Sequence, residues 1–143
     1  MRYLVLVSHG TLAQGVHSVL KMLMGEREDV KSTSLQDGMG ADEYIANLKE
    51  LLGTVTPSDE VLLLGDIVGG SPLTNALNVL SELGLLPRTV ALGGMNLPMA
   101  MTALMGLQTQ DMSELAESMV NEARSGARRI AIVQDSDEDE DEI

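Results

Sequence analysis

Short aliphatic runs alternate along the chain with longer stretches whose apolar residues recur every three or four positions. The runs Tyr3–Val7, Val30–Leu35, Val61–Gly65, Thr89–Leu92 and Arg129–Val133 are strand candidates, short and rich in Val, Leu and Ile. Between the first two, Leu12, Val16, Val19, Leu20 and Leu23 share one helical face. Thr11 with Gln14 three residues later forms a capping-box pattern for the start of that helix, and Gly25 is a stop. A second helix is expected near Ala41–Leu52, burying Tyr44, Ile45, Leu48, Leu51 and Leu52. Ser71 as cap and Pro72 at the first helical position open a third, which ends near Gly84. Pro98 starts a fourth, and Met112–Arg124 is the fifth. The order β-α-β-α-β-α-β-α-α-β predicts an α/β fold: a mainly parallel sheet with helices on both faces. No repeat or long linker divides the chain, so residues 1–134 read as one domain and Asp135–Ile143 as an acidic tail expected to be disordered.

Composition narrows the picture. Both aromatic residues are tyrosines, so aliphatic side chains, Ala and the ten Met residues must fill the core. No cysteine is present, which excludes disulfides and thiolate metal sites, and two histidines make a histidine-rich metal site an unpromising expectation. The formal charge of −13 overstates the acidity of the body, because seven of the 22 acidic residues fall in 135–143. Fifteen acids against nine bases still leave a surface that disfavours nucleic acid as a partner. Thr89–Gln110 is uncharged and long enough to raise the question of a membrane span, yet Gly93-Gly94, Asn96 and Pro98 break it into strand, turn and helix. The apolar run before Ser8 is too short for a signal peptide, and a cytoplasmic protein is expected.

The candidate chemistry gathers at two strand ends. The first strand runs out in Ser8-His9-Gly10 and the third in Asp66-Ile67-Val68-Gly69-Gly70-Ser71-Pro72. Open α/β sheets place their ligands at the carboxyl edge, where these two segments would meet. A neutral imidazole keeps a lone pair on one ring nitrogen, and the hydrogen bond at the other nitrogen decides which one. Asp66, the sole acid between Glu60 and Glu82, is the candidate for that bond, leaving His9 as a nucleophile. Gly69, Gly70 and Ser71 lead into a helix N-terminus, whose amides suit an anion. Taken alone, a strand-end histidine or a capped helix start is ordinary structure. Together they suggest a phosphohistidine site. Gly93–Met99 reads mainly as a turn and helix start at the same edge, and His17 as a structural histidine.

Three motifs, Val7-Ser8-His9-Gly10, Asp66 through Pro72, and Gly94-Met95-Asn96-Leu97-Pro98-Met99, carry a resemblance that spans the chain to about Val133. The chain resembles the enzyme IIA component of the mannose family of the bacterial phosphoenolpyruvate-dependent sugar phosphotransferase system. The resemblance implies phosphorylation of His9 on Nε2, an Asp66 carboxylate on its Nδ1, and Ser71 at the phosphoryl pocket. It implies the phosphocarrier protein HPr as donor and a histidine of enzyme IIB as acceptor, IIB being a separate polypeptide associated with membrane IIC and IID components. It also implies that Arg129–Val133 is an antiparallel strand exchanged across a homodimer. No cofactor or metal is implied, and no glycine-rich nucleotide loop with its lysine points to ATP.

Two other readings share parts of this pattern. One is the phosphoryl-donor subunit of a dihydroxyacetone kinase system. The other is a histidine-type phosphatase, which has Arg-His-Gly where this chain has Ser8-His9-Gly10 and needs a second histidine that His17, on the next helix, supplies poorly. The identity of the transported sugar is not encoded here, because a IIA component never touches it.

Overall fold

The computed structural model of the protein describes residues 1–133; the acidic tail lies outside the described residues. Four strands, β1 (Arg2–His9), β2 (Val30–Leu35), β3 (Glu60–Gly65) and β4 (Thr89–Leu92), form a wholly parallel sheet in the order β2-β1-β3-β4. Five helices connect or follow them: α1 (Leu12–Met24), α2 (Ala41–Leu51), α3 (Ser71–Glu82), α4 (Leu97–Gly106) and α5 (Met112–Ser125).

The near-continuous apolar strands follow from burial on both faces. Alternate residues of β1 and β3 enter two separate cores. Leu4, Leu6, Leu62 and Leu64 pack with α1, α4 and α5, whereas Val5, Val7, Val61 and Leu63 pack with α2 and α3. The chain leaves β1 toward β2 on one side, and from β3 it proceeds toward β4 on the other. Strand order therefore reverses between β1 and β3, and a crevice opens at their carboxyl ends.

Several local expectations need correction. The buried stripe of α1 is Ala13, Val16 and Leu20; Leu12 and Leu23 are exposed and Val19 is half-buried. Thr11 makes no capping bond with its side chain. The cap comes from the preceding strand: the buried Ser8 Oγ accepts the Ala13 amide at 2.7 Å. That bond sets the helical phase, so the small Ala13 faces the sheet in place of Leu12. Gly70, in extended backbone, caps α3, which moves Ser71 to the first and Pro72 to the second helical position. Asn96 caps α4 through the Met99 amide, one residue ahead of Leu97 and two ahead of Pro98.

The expected fifth strand is absent from the described single chain. After α5, residues 127–133 carry no regular structure and join neither edge of the sheet. A strand exists only through a neighbour's hydrogen bonds, and among the described residues this segment pairs with no strand. Among the described residues, no helix is long and apolar enough to cross a membrane.

The capping assignment is directly testable. Ser8→Ala strands a buried amide and should cost about 1–2 kcal/mol in denaturant unfolding. Thr11→Ala should change stability by less than about 0.5 kcal/mol. The reverse order would restore Thr11 as the cap.

Candidate functional site

Register brings the site together. Val7 of β1 stands opposite Gly65 of β3, so the residues that follow, Ser8-His9 and Asp66, emerge side by side at the β1/β3 crevice. Asp66 is held on three sides. Its Oδ2 accepts the His9 backbone N–H at 2.9 Å and lies 2.9 Å from His9 Nδ1, while its Oδ1 accepts the Ile67 amide at 2.9 Å.

Burial opposes ionisation of Asp66, but the His9 amide, the His9 ring and the local backbone outweigh it, so its pKa lies below the ordinary carboxylate value. An ionised carboxylate can only accept, and Nδ1 therefore carries the ring proton. When the ring is neutral, Nε2 is then the nitrogen that keeps its lone pair. The Asp66 side chain is 10% exposed and that of His9 46%, so the carboxylate is sheltered while the imidazole reaches solvent.

The turn after Asp66 wraps the ring. Gly69 has φ +82°, a left-handed conformation that other residues enter only with strain. Gly70 lies so close to the imidazole that a Cβ there would sit 3.0 Å from His9 Cε1, the carbon between the two nitrogens. Its own amide closes the turn onto the Ile67 carbonyl. The first i→i−4 bond of α3 runs from Thr74 to the Gly70 carbonyl, so the Ser71 and Leu73 amides ahead of it are available to an anion, and Pro72 has no N–H to offer. Exposed Ser71 stands at the first position of α3, beside these donors. His9, Asp66, Gly69, Gly70 and Ser71 are thus contiguous, as the two motifs suggested.

The Gly94–Pro98 loop braces this turn from behind. Gly94 N–H donates to the Asp66 carbonyl at 3.1 Å and Met95 N–H to the Gly65 carbonyl at 3.0 Å. A Cβ on Gly93 would collide with Val68 at 2.3 Å. Asn96 also donates through Nδ2 to the Ala123 carbonyl, tying α4 to α5. His17 faces β2, with Nδ1 2.6 Å from Ser32 Oγ, and shares no hydrogen bond with the site. Burial, reinforced by Lys21, lowers its pKa. A concavity of about 790 Å³ lies between α4 and α5 around Pro98, Met101 and Met105, apart from His9. Among the described residues, no group of three or more acidic or histidine side chains is placed to hold a metal ion.

The family model described as "PTS system fructose IIA component" matches residues 3–120. The chain belongs to this family, the mannose-type enzyme IIA components of the phosphotransferase system. The PTS system mannose-specific EIIAB component of Escherichia coli K12 is 27% identical over 128 residues, which are 89% of this chain and 39% of that protein. The chain thus spans about two-fifths of the length of the curated relatives it matches. A solved mannose/sorbose-specific IIA subunit from Enterococcus faecalis is 26% identical, with TM-score 0.78 over 93% of this chain and 97% of that one. The EIIA component from Streptococcus agalactiae, 23% identical, shares the fold with TM-score 0.76 over 90% and 97% of the two chains.

The Asp66 carboxylate has a lowered folded pKa, so its stabilising contribution is complete above the unfolded value of about 4 and is lost as pH falls through the folded one. Below pH 4, unfolding free energy should therefore fall more steeply for the wild type than for Asp66→Asn. Parallel curves in acid-range denaturant titrations would show that the carboxylate is not held as described.

Proposed function

We propose that the chain is a phosphoryl carrier that takes phosphate from phospho-HPr on His9 and passes it to a histidine on enzyme IIB. The observation that carries this reading is the 2.9 Å contact between Asp66 Oδ2 and His9 Nδ1, which leaves Nε2 as the free nucleophile. In the forward step the Nε2 lone pair forms a bond to phosphorus as the bond to the donor imidazole breaks. That bonding pair returns to the donor ring. The positive charge that grows on His9 is balanced by Asp66, and Nδ1 keeps its proton throughout. Gly69 shapes the turn, Gly70 makes room for the ring, and the amides and hydroxyl at Ser71 receive the phosphoryl oxygens. Transfer onward to IIB is the same in-line exchange reversed, so positioning and charge balance supply the catalysis.

The reaction as written needs no cofactor. A cytoplasmic protein, coupled indirectly to membrane IIC and IID components and without a nucleic-acid partner, fits this role. The family match favours this over a histidine-type phosphatase, and the likeness to a mannose-specific EIIAB component supports it over a dihydroxyacetone-kinase donor.

Incubation with phosphoenolpyruvate, enzyme I, HPr and candidate IIB proteins should give acid-labile phosphate on this chain and then on one IIB. His9→Ala should abolish labelling and His17→Ala should leave it nearly intact. Asp66→Asn can present an amide N–H to Nδ1 and favour the wrong tautomer, lowering single-turnover transfer by roughly 10²–10⁴-fold while the fold survives. Labelling that persists without His9, or a folded Asp66→Asn protein transferring at the wild-type rate, would remove that residue from the mechanism.

We also propose a homodimer in which 129–133 pairs antiparallel with a strand of a second copy. Two features support this. The chain leaves β4 with an open edge, and the exposed segment alternates Ile130 (77% exposed) with Ile132 (93%). Truncation before Arg128 should give monomer or aggregate, whereas removal of Asp135–Ile143 should leave a dimer by light scattering. A monomeric full-length protein at micromolar concentration would defeat the proposal.

A further inference from the structure

Tyr44 is a buried titratable group that the chemistry above does not use. It is among the largest fully buried side chains, in the core shared by α2 and α3. Its hydroxyl donates to the Pro72 carbonyl at 2.7 Å, spanning from α2 to the first turn of α3. Burial, with the negative charge of Asp66 adding to it, pushes the phenol well above its ordinary pKa, so it remains a neutral donor.

The bond is made two residues beyond Gly70, whose backbone lies against His9 Cε1. Cε1 is bonded both to Nδ1, which Asp66 holds, and to Nε2, where phosphate would attach. The position of the α3 start therefore sets the space beside Nε2. On the sheet side, that start is located by Leu73 over Gly65, where even a Cβ would lie 2.9 Å from Leu73. This apolar contact fixes the height of α3 above the sheet. Apolar contacts are non-directional, and a hydrogen bond to a single carbonyl supplies the missing lateral restraint.

We propose that Tyr44 is a positioning residue for transfer at His9: through the Pro72 carbonyl its hydroxyl holds the Gly70–Ser71 edge of α3 against the imidazole, so that the first-turn amides meet the phosphoryl group on Nε2. The proposal rests on the reading of His9 as the phosphoryl carrier. It assigns the hydroxyl a task that the aromatic ring alone does not perform.

Tyr44→Phe keeps the ring and removes the bond. In single-turnover transfer from phospho-HPr, its rate at saturation should fall roughly 3–10-fold, as expected for a misplacement of a fraction of an ångström, with half-saturation unchanged. Leu48→Val, in the same core but not bonded to α3, should stay within about twofold of the wild-type rate at a comparable loss of stability. A wild-type rate for Tyr44→Phe, or an equal slowing by Leu48→Val, would overturn the proposal.

A second measurement needs no substitution. With both tyrosines 13C-labelled, phosphorylation should shift the ring signals of Tyr44 and leave those of Tyr3 in place; an unmoved Tyr44 would also overturn it. If the unmutated protein accepts no phosphate, the carrier reading fails on its own. The 15N signals of the His9 ring in unphosphorylated Tyr44→Phe then decide the anchor separately: displaced signals support it, and signals coincident with wild type refute it.

Discussion

Two carboxylate oxygens of Asp66 collect three N–H groups, two from His9 and one from Ile67. The site depends on this arrangement. The backbone bond fixes where β1 ends relative to β3, the ring contact fixes the tautomer, and the Ile67 bond starts the turn that returns the chain to the imidazole as Gly70. Charge-assisted bonds of this kind are each worth about 1.5–3 kcal/mol, enough to hold an exposed ring in one orientation. Parallel pairing makes the arrangement possible, because it delivers both strand ends to the same edge with Val7 opposite Gly65.

Burial follows the same division of labour. The carboxylate is sheltered, where desolvation strengthens its hold on the ring, while the imidazole stays accessible to another protein. The β4–α4 loop and α3 lie behind and beside the ring and give the turn a rigid backing. Gly93 presses on Val68, Gly94 and Met95 bond to the end of β3, and Leu73 rests on Gly65. Gly65, Gly70 and Gly93 thus leave no room for a side chain, and each marks a close approach of two segments.

The fold was largely legible in the chain because doubly buried parallel strands leave unmistakable aliphatic runs: β2 and β4 have the expected bounds, β3 starts one residue earlier, and β1 gains one residue at its start and two at its end. His9 and Asp66 were legible because each ends such a run. What the sequence hid were contacts between segments distant along it. The Ser8 hydroxyl, a strand residue, caps α1 and rotates its stripe onto Ala13, and no local capping pattern could reveal this. The bond from Tyr44 to Pro72 spans 28 residues, and Tyr44 read simply as part of an apolar stripe. Residues 129–133 have the composition of a strand, but pairing is a property of two segments, and no second one pairs with it among the described residues.

The central claim is that Asp66 claims Nδ1 and leaves Nε2 to carry phosphate. Its most direct test is the position of phosphorus on the ring. Protein labelled with 15N at histidine and phosphorylated through HPr should show phosphorus–nitrogen coupling to Nε2 of His9, with Nδ1 still protonated. Coupling to Nδ1, or to either nitrogen of His17, would contradict the account.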